Sequence, residues 1–139
     1  MADIKKIGRL CPYNGHGSKI NLKISTTPGM VAGAEFKLYK SASLQYLKFW
    51  KIGAQDGESA SLELNVEPLL LNKHILTWQI LICGKRIDVF DGTLTLEFFQ
   101  DGNLLKTNTP TIWTFNNIPP CSVKQYEKFT ESLVFVTKT

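Results

Sequence analysis

Apolar and polar residues alternate with a period of two through most of this chain, most clearly between residues 73 and 105. Leu76, Trp78, Ile80 and Ile82 share one face of a run in which Thr77 and Gln79 take the other. Further on, Leu94, Leu96 and Phe98 face away from Thr93, Thr95, Glu97 and Phe99. That period belongs to a half-buried strand and excludes a helix. Cys83-Gly84-Lys85, Asp91-Gly92 and Asp101-Gly102 divide the stretch at turn-forming residues, which predicts an antiparallel meander. A sheet with one apolar face needs a second layer to cover it.

The same reading extends along the chain. Residues 4–10 are a first strand or an edge-pairing arm, and residues 11–18, rich in Pro, Asn and Gly, are a loop. Ile20, Leu22 and Ile24 alternate with Asn21 and Lys23, and Phe36 and Leu38 with Glu35 and Lys37. The strand over residues 44–52 is apolar on both faces, with Leu44, Tyr46, Trp50 and Ile52 on one and Leu47 and Phe49 on the other. Such a strand is either central and covered twice, which is the commoner case, or offers one face to a partner. Residues 59–67 alternate again until Pro68, Trp113 sits in a strand over 111–115, and 133–137 form a last strand. Only SVKQYEKFTES, residues 122–132, has helical spacing, with Val123, Tyr126 and Phe129. The prediction is all-β: a two-sheet antiparallel β-sandwich of about nine or ten strands, with one short helix near residues 123–131 and a partly closed barrel as the runner-up.

The length, 139 residues, suits a single sandwich domain over residues 1–139. The net charge of +4 is unevenly spread. Up to Lys51 the basic residues dominate, and between residues 52 and 105 the acidic ones do. Strands from the two halves are expected to interleave and pair these charges; halves that stay apart would favour heterologous assembly. The N-terminus has no uninterrupted apolar segment and no run is long enough to span a bilayer, so the expected location is the cytoplasm, with leaderless export left open. In that setting Cys11, Cys83 and Cys121 read as free thiols, and a Cys11–Cys121 bridge is the alternative.

Candidate chemistry is sparse. There is no GxSxG elbow, P-loop, HExxH or dinucleotide fingerprint, and the histidines His16 and His74 have no metal-ligand spacing. Cys11 with His16 lacks an orienting third group. Asp88, Asp91 and Asp101 are explained by turns without calcium. Lysines interleaved with Tyr39, Tyr46, Phe49 and Trp50 suggest a stacking platform for nucleic acid, which the acidic half disfavours. No cofactor, no metal and no catalytic residue is expected. Residues 33–40, GAEFKLYK, resemble a strand of prealbumin-like modules over a small fraction of the chain, and the resemblance transfers no functional residue.

The leading expectation is therefore a non-catalytic protein–protein interaction module, a self-assembling or accessory component of a larger complex. Leu47, Phe49, Lys48 and Lys51 are its interaction surface. The alternative is a lectin-like sandwich that binds carbohydrate or another small ligand through Tyr13, Asn14 and His16 in one loop and Asn116 and Asn117 in another.

Overall fold

A computed structural model describes residues 9–40, 45–85, 90–107, 112–123 and 126–138. Ten strands form two sheets packed face to face, as the alternation predicts. In chain order they are β1 (Leu10–Tyr13), β2 (Asn21–Thr26), β3 (Met30–Tyr39), β4 (Tyr46–Gln55), β5 (Ser59–Glu63), β6 (Ile75–Gly84), β7 (Phe90–Gln100), β8 (Asn103–Leu104), β9 (Ile112–Ile118) and β10 (Glu127–Thr137). The first sheet has the order β1-β10-β6-β3-β4. The second has the order β5-β2-β7-β8, with β9 also pairing with β7. Every pairing is antiparallel except β1 with β10, which is parallel.

The inward residues are those the alternation assigned. Phe36 lies opposite Trp78, Ala34 opposite Ile80 and Ala32 opposite Ile82. From the second sheet, Leu22 and Ile24 lie opposite Phe98 and Leu96, and all these side chains are buried in one core. Aromatic rings bridge the layers: Trp78 lies 6.3 Å from Phe98 and 6.5 Å from Trp113, centroid to centroid.

Four local expectations are corrected. Residues 73–105 are not a meander, because β6 and β7 belong to different sheets and do not pair. Asp91-Gly92 lies inside β7 rather than at a turn. Glycine is needed there because a Cβ would sit 2.9 Å from both Ile118 Cδ1 and Thr27 Oγ1. The segment Cys11-Pro12-Tyr13, expected in a loop, is strand β1. Most of the first expected strand, with Leu44 and Asp88, lies outside the described residues.

The expected helix near 123–131 is the fourth. A single 3₁₀ turn spans Cys121–Val123, and Glu127 already begins β10. Phe129, Leu133 and Phe135 do alternate, but Glu131 occupies the inward-register position opposite Trp78 and interrupts the apolar set. Its carboxylate is held by Arg9 in an ion pair, so a strand with a charge in its apolar row is satisfied at the sheet margin. Phe129 then packs 5.2 Å from Trp113 and 5.4 Å from Phe115.

The cysteines also differ from expectation. Cys83 at the end of β6 is bonded to Cys121, with a Cα–Cα separation of 4.9 Å, and Cys11 is the free, buried one. The bridge ties the corner between β9 and β10 to the first sheet, where the Gly84 amide also donates to the Pro119 carbonyl at 2.8 Å.

Candidate functional site

The two loops expected to form one ligand site lie at opposite ends of the sandwich. The Asn14 amide donates to Gln100 Oε1 at 2.9 Å, at the last residue of β7, whereas the Asn117 amide donates to Asp91 Oδ1 at 3.0 Å, near its first. Nine residue steps along β7 separate those anchors, about 30 Å. The residues themselves are engaged in holding the fold. Tyr13 is wholly buried, its ring 6.0 Å from that of Phe135, and its hydroxyl donates to the Pro68 carbonyl. Asn14 accepts from the His16 amide through Oδ1 at 2.9 Å. Buried Gln100 closes the loop by donating to the carbonyls of Asn14 and Ser18 at 2.7 and 2.9 Å. Asn117 adopts φ +58°, a left-handed conformation that asparagine tolerates better than most residues. His16 and Asn116 are exposed.

Cys11 is wholly buried, and burial pushes its thiol up to about 12, which leaves little thiolate at neutral pH. Among the described residues no three His, Cys, Asp or Glu side chains group as a metal site, and no helix is long and apolar enough to cross a membrane.

The strand expected to be apolar on both faces is β4, and it lies at the edge of the first sheet, not in its centre. Phe36 faces Trp50 and Ala34 faces Ile52, so Trp50 and Ile52 pack on the core. Phe49 and Lys51 face Lys37 and Glu35 on the outer surface. A bulge beside Leu38 and Tyr39 leaves Leu47 without a cross-strand partner. Tyr46, Leu47 and Phe49 are 49, 55 and 37% exposed, a contiguous group on one strand. Covering within the chain, the commoner case for such a strand, is thus not what these three residues receive.

Lys37 Nζ lies 5.3 Å from the Tyr46 ring centre and 5.9 Å from that of Phe49, and Lys51 Nζ lies 5.6 Å from Phe49. These contacts hold the lysines against the aromatic surface. Lys51 also reaches Glu35 at 3.6 Å, whereas Lys48 has no ion pair among the described residues.

The uneven charge is largely resolved by interleaving. Strand β2, from the basic part, runs between β5 and β7 from the acidic part, placing Lys23 opposite Glu97. Lys19 pairs with Glu67 across the two parts at 3.9 Å, while Lys85 and Asp56, 2.6 Å apart, pair within the acidic part. The Lys85 hydrogen bond holds the Asp56 carboxyl below its ordinary value of 3.8. What survives is local. The edge strands β4 and β5 are joined by the Asp56-Gly57 turn, run in opposite directions and contact each other along one side of the sandwich. The β4 edge carries Lys48 and Lys51, and the β5 edge carries Glu58 and Glu63, both exposed and without ion pairs among the described residues.

A second feature, which the reading of motifs missed, is a polar cleft on the outer face of the first sheet. It has a volume of about 510 Å³ and is bordered by Arg9, Glu35, Lys37, Tyr39, Gln79 and Thr130 among others. Its only signal in the sequence is the set of polar residues at outward strand positions, which acquires meaning once β10, β6 and β3 are known to be neighbours. No protein-family model matches this chain, and neither a curated protein nor a solved structure is found to be similar to it.

Proposed function

We propose that this chain is a non-catalytic protein–protein interaction module that assembles with a second copy of itself through the side formed by β4 and β5. The observation that carries the reading is the pairing, on one side, of two strand edges of opposite charge that no described strand covers, the basic one bearing exposed Tyr46, Leu47 and Phe49. An open edge offers unpaired backbone groups to another strand. A half-turn about an axis parallel to the strands keeps strand directions and exchanges the two sheets. Strand β4 of one copy then meets β5 of the other antiparallel, because β4 and β5 run oppositely within one chain. Heights along the axis are kept, so Lys51, near the middle of β4, comes level with Glu63 at the end of β5 twice over, and the contact closes as a dimer.

Light scattering behind size-exclusion chromatography, at several protein and salt concentrations, tests this. A dimer that loosens with salt is expected. Lys51→Glu and Glu63→Lys should each weaken it about tenfold, roughly 1.4 kcal/mol, and the two together should restore it. A monomer at every concentration, or a dimer indifferent to both substitutions, overturns the proposal. We infer further that the protein works in an oxidising compartment instead of the cytoplasm, because the Cys83–Cys121 bridge is of a kind that reducing cytosol does not maintain. Alkylation of free thiols before cell lysis tests that location: recovery of the bridged form supports it, and recovery of three alkylated cysteines sinks it.

A further inference from the structure

We propose that the outer face of the first sheet binds a neutral, hydroxyl-rich ligand, a short oligosaccharide, in the cleft over β10, β6 and β3. The main cleft takes no described residue from β4 or β5 and does not rest on assembly. The cleft's volume of about 510 Å³ falls within the range of small-ligand sites, roughly 300–1,000 Å³.

Both carboxylates at its border are already engaged by cations, and its remaining cation is held by aromatic rings. Arg9 is paired with Glu131, Glu35 reaches Lys51, and Lys37 lies over the Tyr46 and Phe49 rings. An ionic ligand would have to break one of these arrangements, and a purely apolar one would leave them without water. Hydroxyl groups satisfy both signs, because each donates and accepts.

Neutral hydrogen-bonding groups converge on the same cleft. Gln79 and Thr130 face each other across β6 and β10, and neither side chain has a partner among the described residues. Tyr39 borders the cleft, and its ring meets Tyr46 at 6.3 Å and 83°. Tyr46 in turn lies 5.8 Å from Phe49, so an aromatic strip leads away from the mouth toward β4. Aromatic faces beside hydrogen-bonding side chains suit a sugar ring, which has an apolar C–H face and a polar rim.

The ligand is longer than one ring. A second depression of about 300 Å³, lined by Gly33, Lys51, Ile52 and Leu81, shares Glu35 and Gln79 with the first. Gly33 leaves open space where a side chain would stand. From Tyr39 to Gly33 the two depressions follow β3 for six residues, about 20 Å.

Saturation-transfer NMR and calorimetry with neutral mono- to tetrasaccharides test the proposal, with the Glu63→Lys variant at concentrations where light scattering finds a monomer. At least one tetrasaccharide is expected to bind, and more tightly than its monosaccharide. Gln79→Ala combined with Thr130→Val should weaken it tenfold or more, while His16→Ala leaves it unchanged. Unaltered thermal unfolding of the double variant separates a lost site from a lost fold. The inference is overturned if no neutral saccharide binds, if binding survives the double variant in folded protein, or if only anionic saccharides bind.

Discussion

Replacing both Cys83 and Cys121 by alanine should lower the melting temperature by about 13 °C. The bridge closes a loop of sequence separation 38. Restricting the unfolded chain over that span removes about 13 cal/mol/K of entropy, which is about 4 kcal/mol at room temperature. With an unfolding entropy of about 2.1 cal/mol/K per residue, a chain of 139 residues gives up about 0.3 kcal/mol per degree near its midpoint. Alanine is the right replacement because Cys83 is buried, and a serine hydroxyl there would add a desolvation cost of its own. Calorimetric unfolding of wild type, wild type under reducing conditions and the double alanine variant should give one high midpoint and two similar low ones. The Cys11→Ala variant controls for generic loss of a thiol. A fall below about 4 °C, equivalent to about 1 kcal/mol, would refute the chain-entropy reasoning. A large fall in the variant that reduction fails to reproduce would point to side-chain packing instead.

Thiol titration of the native protein should find no reactive group, because Cys11 is buried and held protonated; unfolding without reductant should release one thiol and unfolding with reductant three. Two accessible thiols in native protein would mean that the bridge is absent. Stability should fall as pH rises above 9, since burial raises Cys11 from an ordinary 9.0 to about 12 and Tyr13 from 10.0 to about 12. The unfolded chain loses those protons first, so the stabilisation is full below pH 9 and is lost progressively toward 12. Urea midpoints that stay flat over that range contradict this, and Cys11→Ala should remove part of the slope. Gly92→Ala should cost about 1–3 kcal/mol by overpacking, since the new methyl meets Ile118 and Thr27 at 2.9 Å and Met30 Sδ at 3.2 Å; an unchanged urea midpoint would show that β7 shifts freely there.

The alternation over β2, β3, β6 and β7 named the inward residues because the side-chain period of a strand is a local property: Leu22, Phe36, Trp78 and Phe98 are buried whatever the pairing. Where a charge entered the apolar row the signal failed. The spacing of Val123, Tyr126 and Phe129 read as helical, while Glu131 broke the alternation of β10, and the arrival of Arg9 from a distant part of the chain explains how the strand tolerates it there. The bulged edge of β4 was legible as a strand with two apolar faces, but its place at the margin was not, since position in a sheet is fixed by which other strands pair with β3, and β6 lies far along the chain.

Both candidate surfaces depended on such long-range choices. Leu47, Lys48, Phe49 and Lys51 were identifiable as an unusual group from their order alone, and tertiary structure added the acidic β5 edge beside them. Tyr13, Asn14, Asn116 and Asn117 have the composition of a sugar site, yet β7 holds the two loops about 30 Å apart and burial removes Tyr13 altogether. Gln79 and Thr130, by contrast, carry no local mark and become neighbours only through the β6–β10 register. By itself the sequence determined the fold class and the faces of most strands, because hydrophobic burial acts on each strand's own pattern. The strand order, the Cys83–Cys121 pairing and the groups that converge on one surface were decided by packing two sheets into a single core, a long-range condition that no local stretch contains.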